Sequence, residues 1–395
     1  MYQRIHIEQL TTGMYVVEVT RQTGQVKITS EGFLKSDALL HALKSKGVLE
    51  VIVDPARSTV DVPQAHLDRP DTPVAVRPSK TAITQELPKA AELYHQAKQL
   101  QQKAFSDVLA GKPIELAPFQ QCADGFIDSI FRNQDALLCM SQIREKDAYL
   151  LEHSVNVSIL MTIFAKYLQL PDEQIQQLAT GALLHDIGKI KVPDAVLNKP
   201  GKLTDDEFVV MRDHVVYSRE LLENVPGISP ISLDVAAHHH ERLDGRGYPR
   251  RLVGEQISQA ARMIAIVDTY DAITAQRVYK EGQTSLTALK ILRKDSGSHF
   301  DLELVNQFIQ AVGIYPPGSL VRLKNHKVGI VLESGSEAAK PIVKTFYHAR
   351  FKRYTEVEEL DLSKNKHAEA AIDAILKPEE LGIDLPKFFR QSVLP

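Results

Sequence analysis

The pair His185-Asp186, inside Leu183-Leu-His-Asp-Ile-Gly-Lys189, puts an imidazole and a carboxylate on adjacent residues. The nitrogen is a borderline metal ligand; the carboxylate is hard, anionic and able to bridge two ions. A His-Asp dipeptide alone carries little information. Here it stands in a series with His153, His214, His239, His240 and Asp268. These donors suffice for a two-metal centre. Such centres most often hydrolyse phosphate esters, through a water activated between the ions.

The individual signals differ in weight. His153 and His214 each lie on helical stretches, where a lone histidine is more often a hydrogen-bonded core residue than a ligand. The His185-Asp186 pair closes a helix beside Gly188, where backbone can come close to a ligand. The run His238-His239-His240 is less ambiguous, because clustered imidazoles repel when protonated and are hard to bury without a cation. Asp244-Gly-Arg-Gly247 follows and must turn sharply. Asp268 comes after the apolar run Met263–Val267, where a buried carboxylate needs a partner or a metal. Asp271 faces roughly the same side of that helix. Arg277 and Lys280, further on, fit either phosphate contacts or solvated surface charges.

The elements that position these residues are mostly helices. A chain of 395 residues is too long for one ordinary core, and its composition is that of a soluble globular protein. The formal net charge of −3 argues against electrostatic binding of a nucleic acid polymer. Cys122 and Cys139 fit two buried thiols in a reducing compartment. The N-terminus lacks the apolar core of a signal peptide, and no stretch reaches the roughly 20 apolar residues needed to span a bilayer. A cytoplasmic protein is the expectation.

Along the chain, residues 1–54 read as a small α/β module. Strands are expected at 14–19, 25–28 and 48–53, with Ser36 capping a helix that carries Leu39, Leu40 and Leu43 and ends at Gly47. Residues 55–125 hold a Pro-rich linker and an amphipathic helix over 82–112. The stripe Leu93, Ala97, Leu100, Ala104 and Val108 on that helix fits core packing or, less readily, a coiled-coil homodimer contact. Residues 126–320 are almost wholly helical. Helices are expected from Pro171, from the capping box Thr204–Glu207, from Pro230, and over 255–274. Residues 321–395 read as a small β appendage and a tail, with alternation already visible from Ser319. The last thirty residues carry no clear pattern.

The His-Asp-Ile-Gly-Lys element, the segment His239-His-Glu-Arg-Leu-Asp-Gly-Arg-Gly-Tyr-Pro249 and Val267-Asp-Thr-Tyr-Asp-Ala272 together resemble the HD-GYP family. These are bacterial phosphodiesterases of the HD superfamily that cleave cyclic di-GMP. The resemblance covers roughly residues 126 to 320. A looser one, to an accessory domain found ahead of such domains, covers residues 3 to about 135. The resemblance implies a mainly α protein: a helical HD-type phosphohydrolase domain between the α/β module and the β appendage.

Carried over to this sequence, the family pattern makes His153, His185, Asp186, His214, His239, His240 and Asp268 the ligands of two divalent ions, with Asp186 bridging. It places Lys189 at the scissile phosphate and Arg277 and Lys280 at the substrate's phosphates. Gly247-Tyr248-Pro249 is the namesake turn, implicated in contacts with GGDEF-domain proteins. His238 falls outside the motif and is expected to be structural. Two positions depart from the pattern. Tyr149 stands where some members have a Glu that recruits a third metal, which implies two metals here. Leu243 replaces a frequent Trp.

All seven donors are nitrogen or oxygen, a set that suits iron or manganese. The resemblance thus implies a cyclic di-GMP phosphodiesterase releasing linear pGpG or GMP. The rival reading is a cyclic di-GMP receptor acting through the GYP turn and the N-terminal module.

Overall fold

The computed structural model describes residues 3–7, 10–22, 32–46, 48–55, 57–60, 81–143, 149–275, 282–335, 337, 339–364, 371–385 and 388–389. The chain divides into two compact units, Met1–Val76 and Arg77–Pro395.

The first unit contains β1 (Gln3–His6), β2 (Tyr15–Gln22), β3 (Gly32–Phe33), α1 (Asp37–Ser45) and β4 (Val48–Val53). The strands form an antiparallel sheet in the order β1-β4-β2-β3. Val48, Val51 and Val53 are buried on it, and Leu40 and Leu43 of α1 pack against the same cluster. The Ser36 hydroxyl caps α1 by accepting from the Leu39 amide at 3.4 Å. The strand expected at 25–28, and Gly47, lie outside the described residues.

The second unit begins with α2 (Ile83–Leu109), α3 (Leu116–Gln142), α4 (Tyr149–Tyr167) and α5 (Asp172–Leu184). It continues with α6 (Asp194–Leu197), α7 (Asp205–Glu223), α8 (Pro230–His238), α9 (Gln259–Thr274), α10 (Ser285–Lys294) and α11 (Leu302–Val312). The centre is α4. Residues 152–165 are buried without a break, and the helix touches α2, α3, α5, α9 and α11. A helix buried on all sides needs apolar side chains around its circumference, here Val155, Val157, Ile159, Leu160, Ile163 and Phe164. Its buried polar side chains are met locally. Tyr94 of α2 donates to Asn156 at 2.8 Å, and Ser158 donates to the Ala179 carbonyl at 2.8 Å.

Helix starts follow their local chemistry. Thr204 and Glu207 exchange hydrogen bonds with each other's backbone at 3.3 and 2.7 Å, a complete capping box. Ser229 caps α8, with Pro230 in its first turn. The helix expected from residue 255 starts later, at Gln259, because Ser258 takes the cap and Gly254–Gln256 forms a separate 3-10 turn. On α2, the stripe Leu93, Ala97, Leu100, Ala104 and Val108 lies in or against the main core. It serves core packing on α3 and α4.

The helices lead into β5 (Leu320–Leu323), β6 (Lys327–Glu333), β7 (Ile342–His348), β8 (Arg353–Asp361), β9 (Ile372–Leu376) and α12 (Pro378–Leu381). The strands form an antiparallel sheet in the order β8-β7-β6-β5-β9. One face joins the helical core through Leu320, Val328, Ile330 and Phe346, and the other gathers Val321, Leu323, Val331 and Val343. The Asp135 carboxylate of α3 ties the sheet down by accepting from the Ser334 amide and hydroxyl at 2.8 and 3.0 Å. The unpatterned C-terminal stretch therefore contributes β9, paired to β5. No helix among the described residues is long and apolar enough to cross a membrane.

Candidate metal centre

Five helices bring the predicted donors together. His153 projects from α4. His185 is the C-cap of α5, and Asp186 opens the 3-10 turn Ile187–Lys191. His214 lies on α7, and His239 is the C-cap of α8, followed by His240. Asp268 lies on α9. Two of the donor pairs thus stand at helix C-termini, where unpaired carbonyls and the helix dipole favour a cation. Three donor groups form: His214, His239 and His240; His153, His185 and Asp268; and His185, Asp186 and His239. Donor atoms within each group lie within 4.8 Å of one another.

The hydrogen bonds fix which nitrogen each ring offers. His185 Nδ1 lies 2.7 Å from the Ala182 carbonyl, His214 Nδ1 2.6 Å from that of Met211, and His239 Nδ1 2.9 Å from that of Ala236. A carbonyl can only accept, so these Nδ1 atoms carry the proton. On the neutral rings Nε2 is then left with a lone pair. Two such atoms, on His214 and His239, face each other at 3.3 Å. Lone pairs at that distance repel unless a cation lies between or beside them. His185 Nε2 and Asp186 Oδ1 are buried with no hydrogen-bond partner among the described residues. Unmet buried polar atoms of this kind are costly, and a metal ion satisfies them. The donors therefore fit divalent ions.

Asp186 sits between the two halves. Its Oδ2 is 3.4 Å from both His153 Nε2 and His185 Nε2, and its Oδ1 is 3.4 Å from His214 Nε2 and 3.8 Å from His239 Nε2. Asp268 Oδ1 lies 3.0 Å from His153 Nε2 and Oδ2 3.7 Å from His240 Nδ1. The Lys189 ammonium donates to Asp186 Oδ2.

Proton affinities follow from this packing. Burial alone would raise Asp186, but the charges of His185 and Lys189 outweigh it and hold the carboxyl well below its usual range. Asp268 is likewise held down, against burial, by His153 and His185. Burial works to lower His153, yet Asp268 and Asp271 keep it raised. His185, buried beside Asp186, is pushed up to about 10. Burial pushes His214 and His239 down, and His240 down to about 3. The rings of His153 and His185 are thus pushed toward the protonated form and those of His214, His239 and His240 toward the neutral one. Metal binding displaces such protons.

A supporting layer holds these donors in place. Asp271 Oδ2 lies 2.7 Å from His153 Nδ1, both fully buried, so a carboxylate orients that ring from behind. The sequence put Asp271 on the correct face but gave it no role. Gln101 of α2 donates to the Leu183 carbonyl at 2.5 Å, and Lys98 pairs with Glu152, next to His153, at 2.8 Å. Glu241 accepts from the Arg250 and Leu252 amides at 2.7 and 3.0 Å, which pins the strand of chain after the cis Tyr248-Pro249 bond. Glu241 lies within the quoted His-His-Glu-Arg segment but was given no role there, and Gln101 has no sequence signal of its own because its partner, the Leu183 carbonyl, is far away in the chain.

One expectation is corrected. Gly188 does not admit a ligand to the backbone. A Cβ there would meet the His214 carbonyl at 2.2 Å and the Ser218 amide at 2.3 Å. The glycine lets the turn after α5 press against α7, and the Ser218 hydroxyl accepts from its amide at 2.9 Å. His238 stays apart from the donors, bonded to Asp234 at 2.8 Å. Leu243 lines a small pocket with Ile257, Ala265 and Phe300. Arg277 and Lys280 lie outside the described residues, as does the side chain of Tyr149.

The chain is 38% identical over 373 residues to a cyclic di-GMP phosphodiesterase of Pseudomonas aeruginosa, covering 92% of this chain and 90% of that one. The chain belongs to the HD-GYP family of phosphodiesterases. An HD domain model matches residues 138–304, and a domain of unknown function (DUF3391) matches residues 2–119. A 3′3′-cGAMP-specific phosphodiesterase of Vibrio cholerae is 35% identical over 159 residues, 40% of this chain and 30% of that one. A solved HDG"Y"P protein from Bdellovibrio bacteriovorus superposes with a TM-score of 0.49 at 17% identity, over 78% of this chain and 99% of that one. HD-GYP membership accounts for the order of the three motifs along the helical body.

Proposed function

We propose that this chain hydrolyses cyclic di-GMP to linear pGpG or GMP, with two divalent ions, iron or manganese, held by His153, His185, Asp186, His214, His239, His240 and Asp268. The observation that carries this reading is the Asp186 carboxylate. Its two oxygens address separate groups of inward-turned imidazole nitrogens, the arrangement a bridging ligand needs. Similarity to a cyclic di-GMP phosphodiesterase along nearly the whole chain supports the substrate. Nitrogen and oxygen donors without thiolate favour iron or manganese.

Bound ions of this kind supply Lewis acidity to a phosphate oxygen and lower the pKa of a water. The chain's own residues do the rest. The α8 and α5 C-termini and the carboxylates of Asp186, Asp268 and Asp271 hold the charge balance of a largely buried site. Asp271 fixes the His153 ring. Lys189, three residues beyond Asp186, can turn from that carboxylate to the scissile phosphate and give a proton to the departing ribose 3′-oxygen. Arg277 and Lys280 hold the other phosphate oxygens.

Nothing in the geometry favours a receptor without turnover, because all seven donors are present, six of them buried and His240 half-buried. Contact with a GGDEF-domain protein at the GYP turn would use the exposed Arg246 and Pro249, since the Tyr248 ring is turned toward His240 with centroids 4.8 Å apart.

The test is anaerobic purification with metal analysis, followed by cyclic di-GMP turnover. The protein should carry two metal equivalents and release pGpG or GMP, and His185→Ala and Asp186→Ala should lose both metal and activity. Metal-loaded protein that binds the dinucleotide without cleaving it refutes the hydrolase. Full activity in either variant refutes the metal centre.

A further inference from the structure

An aromatic ledge runs outward from the metal donors. The His240 and Tyr248 ring centroids are 4.8 Å apart, and Tyr248 meets Phe208 edge-on at 6.3 Å. Arg212, one turn after Phe208 on α7 and two residues before His214, completes it. Its guanidinium carbon lies 5.4 Å from the Phe208 ring centre and 5.7 Å from that of Tyr248. Phe208 at the outer end is 47% exposed.

Arg212 differs from the other cations near the centre. The Lys189 ammonium is taken by Asp186. Arg242 is forked onto Asp244 at 3.0 and 2.8 Å, and Arg262 is bonded to Asp301 and two carbonyls. Arg212 has no carboxylate among the ion pairs of the described residues and is steadied by rings instead. Aromatic faces attract the charge and orient the guanidinium plane, but they use few of its five N–H donors. An oriented fork with donors to spare, beside an exposed aromatic face and next to a phosphate-ester site, suits a purine.

We propose that Phe208 and Arg212 form the base-recognition subsite, with Phe208 stacking on one guanine and Arg212 donating to its O6 and N7. This rests on the cyclic dinucleotide reading above. Guanine shows two acceptors side by side on that edge, whereas adenine shows one acceptor and an amino donor. A forked donor therefore accepts the first base and rejects the second. A purine offers its π-face to Phe208. Two ring contacts, with centroids 4.8 and 6.3 Å apart, lead from His240 through Tyr248 to Phe208.

The test compares wild type, Arg212→Gln, Arg212→Lys and Phe208→Ala on cyclic di-GMP, 3′3′-cGAMP, cyclic di-AMP and bis(p-nitrophenyl) phosphate, a diester without a base. Arg212→Gln should lower kcat/KM for cyclic di-GMP by roughly ten- to a hundredfold relative to bis(p-nitrophenyl) phosphate. It should also narrow the preference over cyclic di-AMP, because Gln matches adenine's edge. Arg212→Lys keeps the charge and loses the fork, so it should not restore selectivity. Phe208→Ala should act mainly on KM. Parallel losses on cyclic di-GMP and the baseless diester, or an unchanged base preference in Arg212→Gln, overturn the subsite while leaving cyclic di-GMP hydrolysis standing. Wild-type protein that cleaves bis(p-nitrophenyl) phosphate but none of the cyclic dinucleotides overturns the underlying reading as well.

Discussion

Asp271 gives the sharpest check on the metal centre, because it is fully buried behind a proposed ligand. Its Oδ2 is 2.7 Å from His153 Nδ1, and both side chains are buried. Asp271→Asn is nearly isosteric, so the amide oxygen still accepts from the ring and keeps its orientation. What goes is the negative charge that makes His153 Nε2 a stronger donor. Changes behind a metal-bound histidine cost roughly ten- to a hundredfold in metal affinity or activity. At about 1.4 kcal/mol per tenfold, that is about 1.4–2.7 kcal/mol. Asp271→Ala also removes the acceptor, and a buried donor left unmet costs a further 1–3 kcal/mol or so. Affinity should therefore fall in the order wild type, Asn, Ala. The assay is competition for iron or manganese against a chromophoric chelator under anaerobic conditions, alongside a thermal melt of the metal-free form. Both variants binding metal within about twofold of wild type would refute the idea that His153 is a ligand oriented by this carboxylate.

Two further outcomes follow from the same geometry. Gly188→Ala should lower the melting temperature and the metal content together, since its Cβ would fall 2.2 Å from the His214 carbonyl and force the turn off α7; a variant with native melting and metal content would show that the turn can give way. For pH, His214, His239 and His240 are held below the usual imidazole value of 6.5 by burial, so below that value the unfolded chain binds more protons than the folded one at these sites. His153 and His185 contribute the opposite way: their stabilisation is complete below 6.5 and fades as pH rises, for His185 through about 10. Below about pH 6.5 the raised pair takes up protons in folded and unfolded chains alike and drops out, so the three lowered sites decide, and metal-free protein should lose melting temperature from about pH 6 to 4.5. A metal-free melting temperature that rises on acidification over that range would contradict the assignment.

The helical body was legible because its signals are local. The capping box at Thr204, the Ser229-Pro230 start and the apolar run of α4 depend on neighbours within a turn or two. The donor residues were legible for a different reason: histidines and aspartates in motif order are chemically distinctive wherever they sit. Contacts between distant segments were not legible. Gly188 was misjudged because its constraint comes from the His214 carbonyl on another helix. Asp271 received no role because its meaning depends on His153, far earlier in the chain. Strand β9 was invisible because Ile372–Leu376 has no clean alternation of its own and is held in the sheet by its pairing with β5, far earlier in the chain.

The donors enter one after another along the chain, from His153 on α4 to Asp268 on α9, and no helix supplies enough of them to hold an ion unaided. A nascent chain that has not yet emitted α9 has no Asp268, and one whose α7 has not docked leaves His185 and Asp186 without the opposite wall. Ions held by this donor set would thus be taken up after assembly and would stabilise only the finished fold. A cell short of the right ion would then accumulate a complete but slack molecule, with packed helices around a cluster of uncompensated donors. Quality control would meet the defect at the centre of the protein and not at its surface.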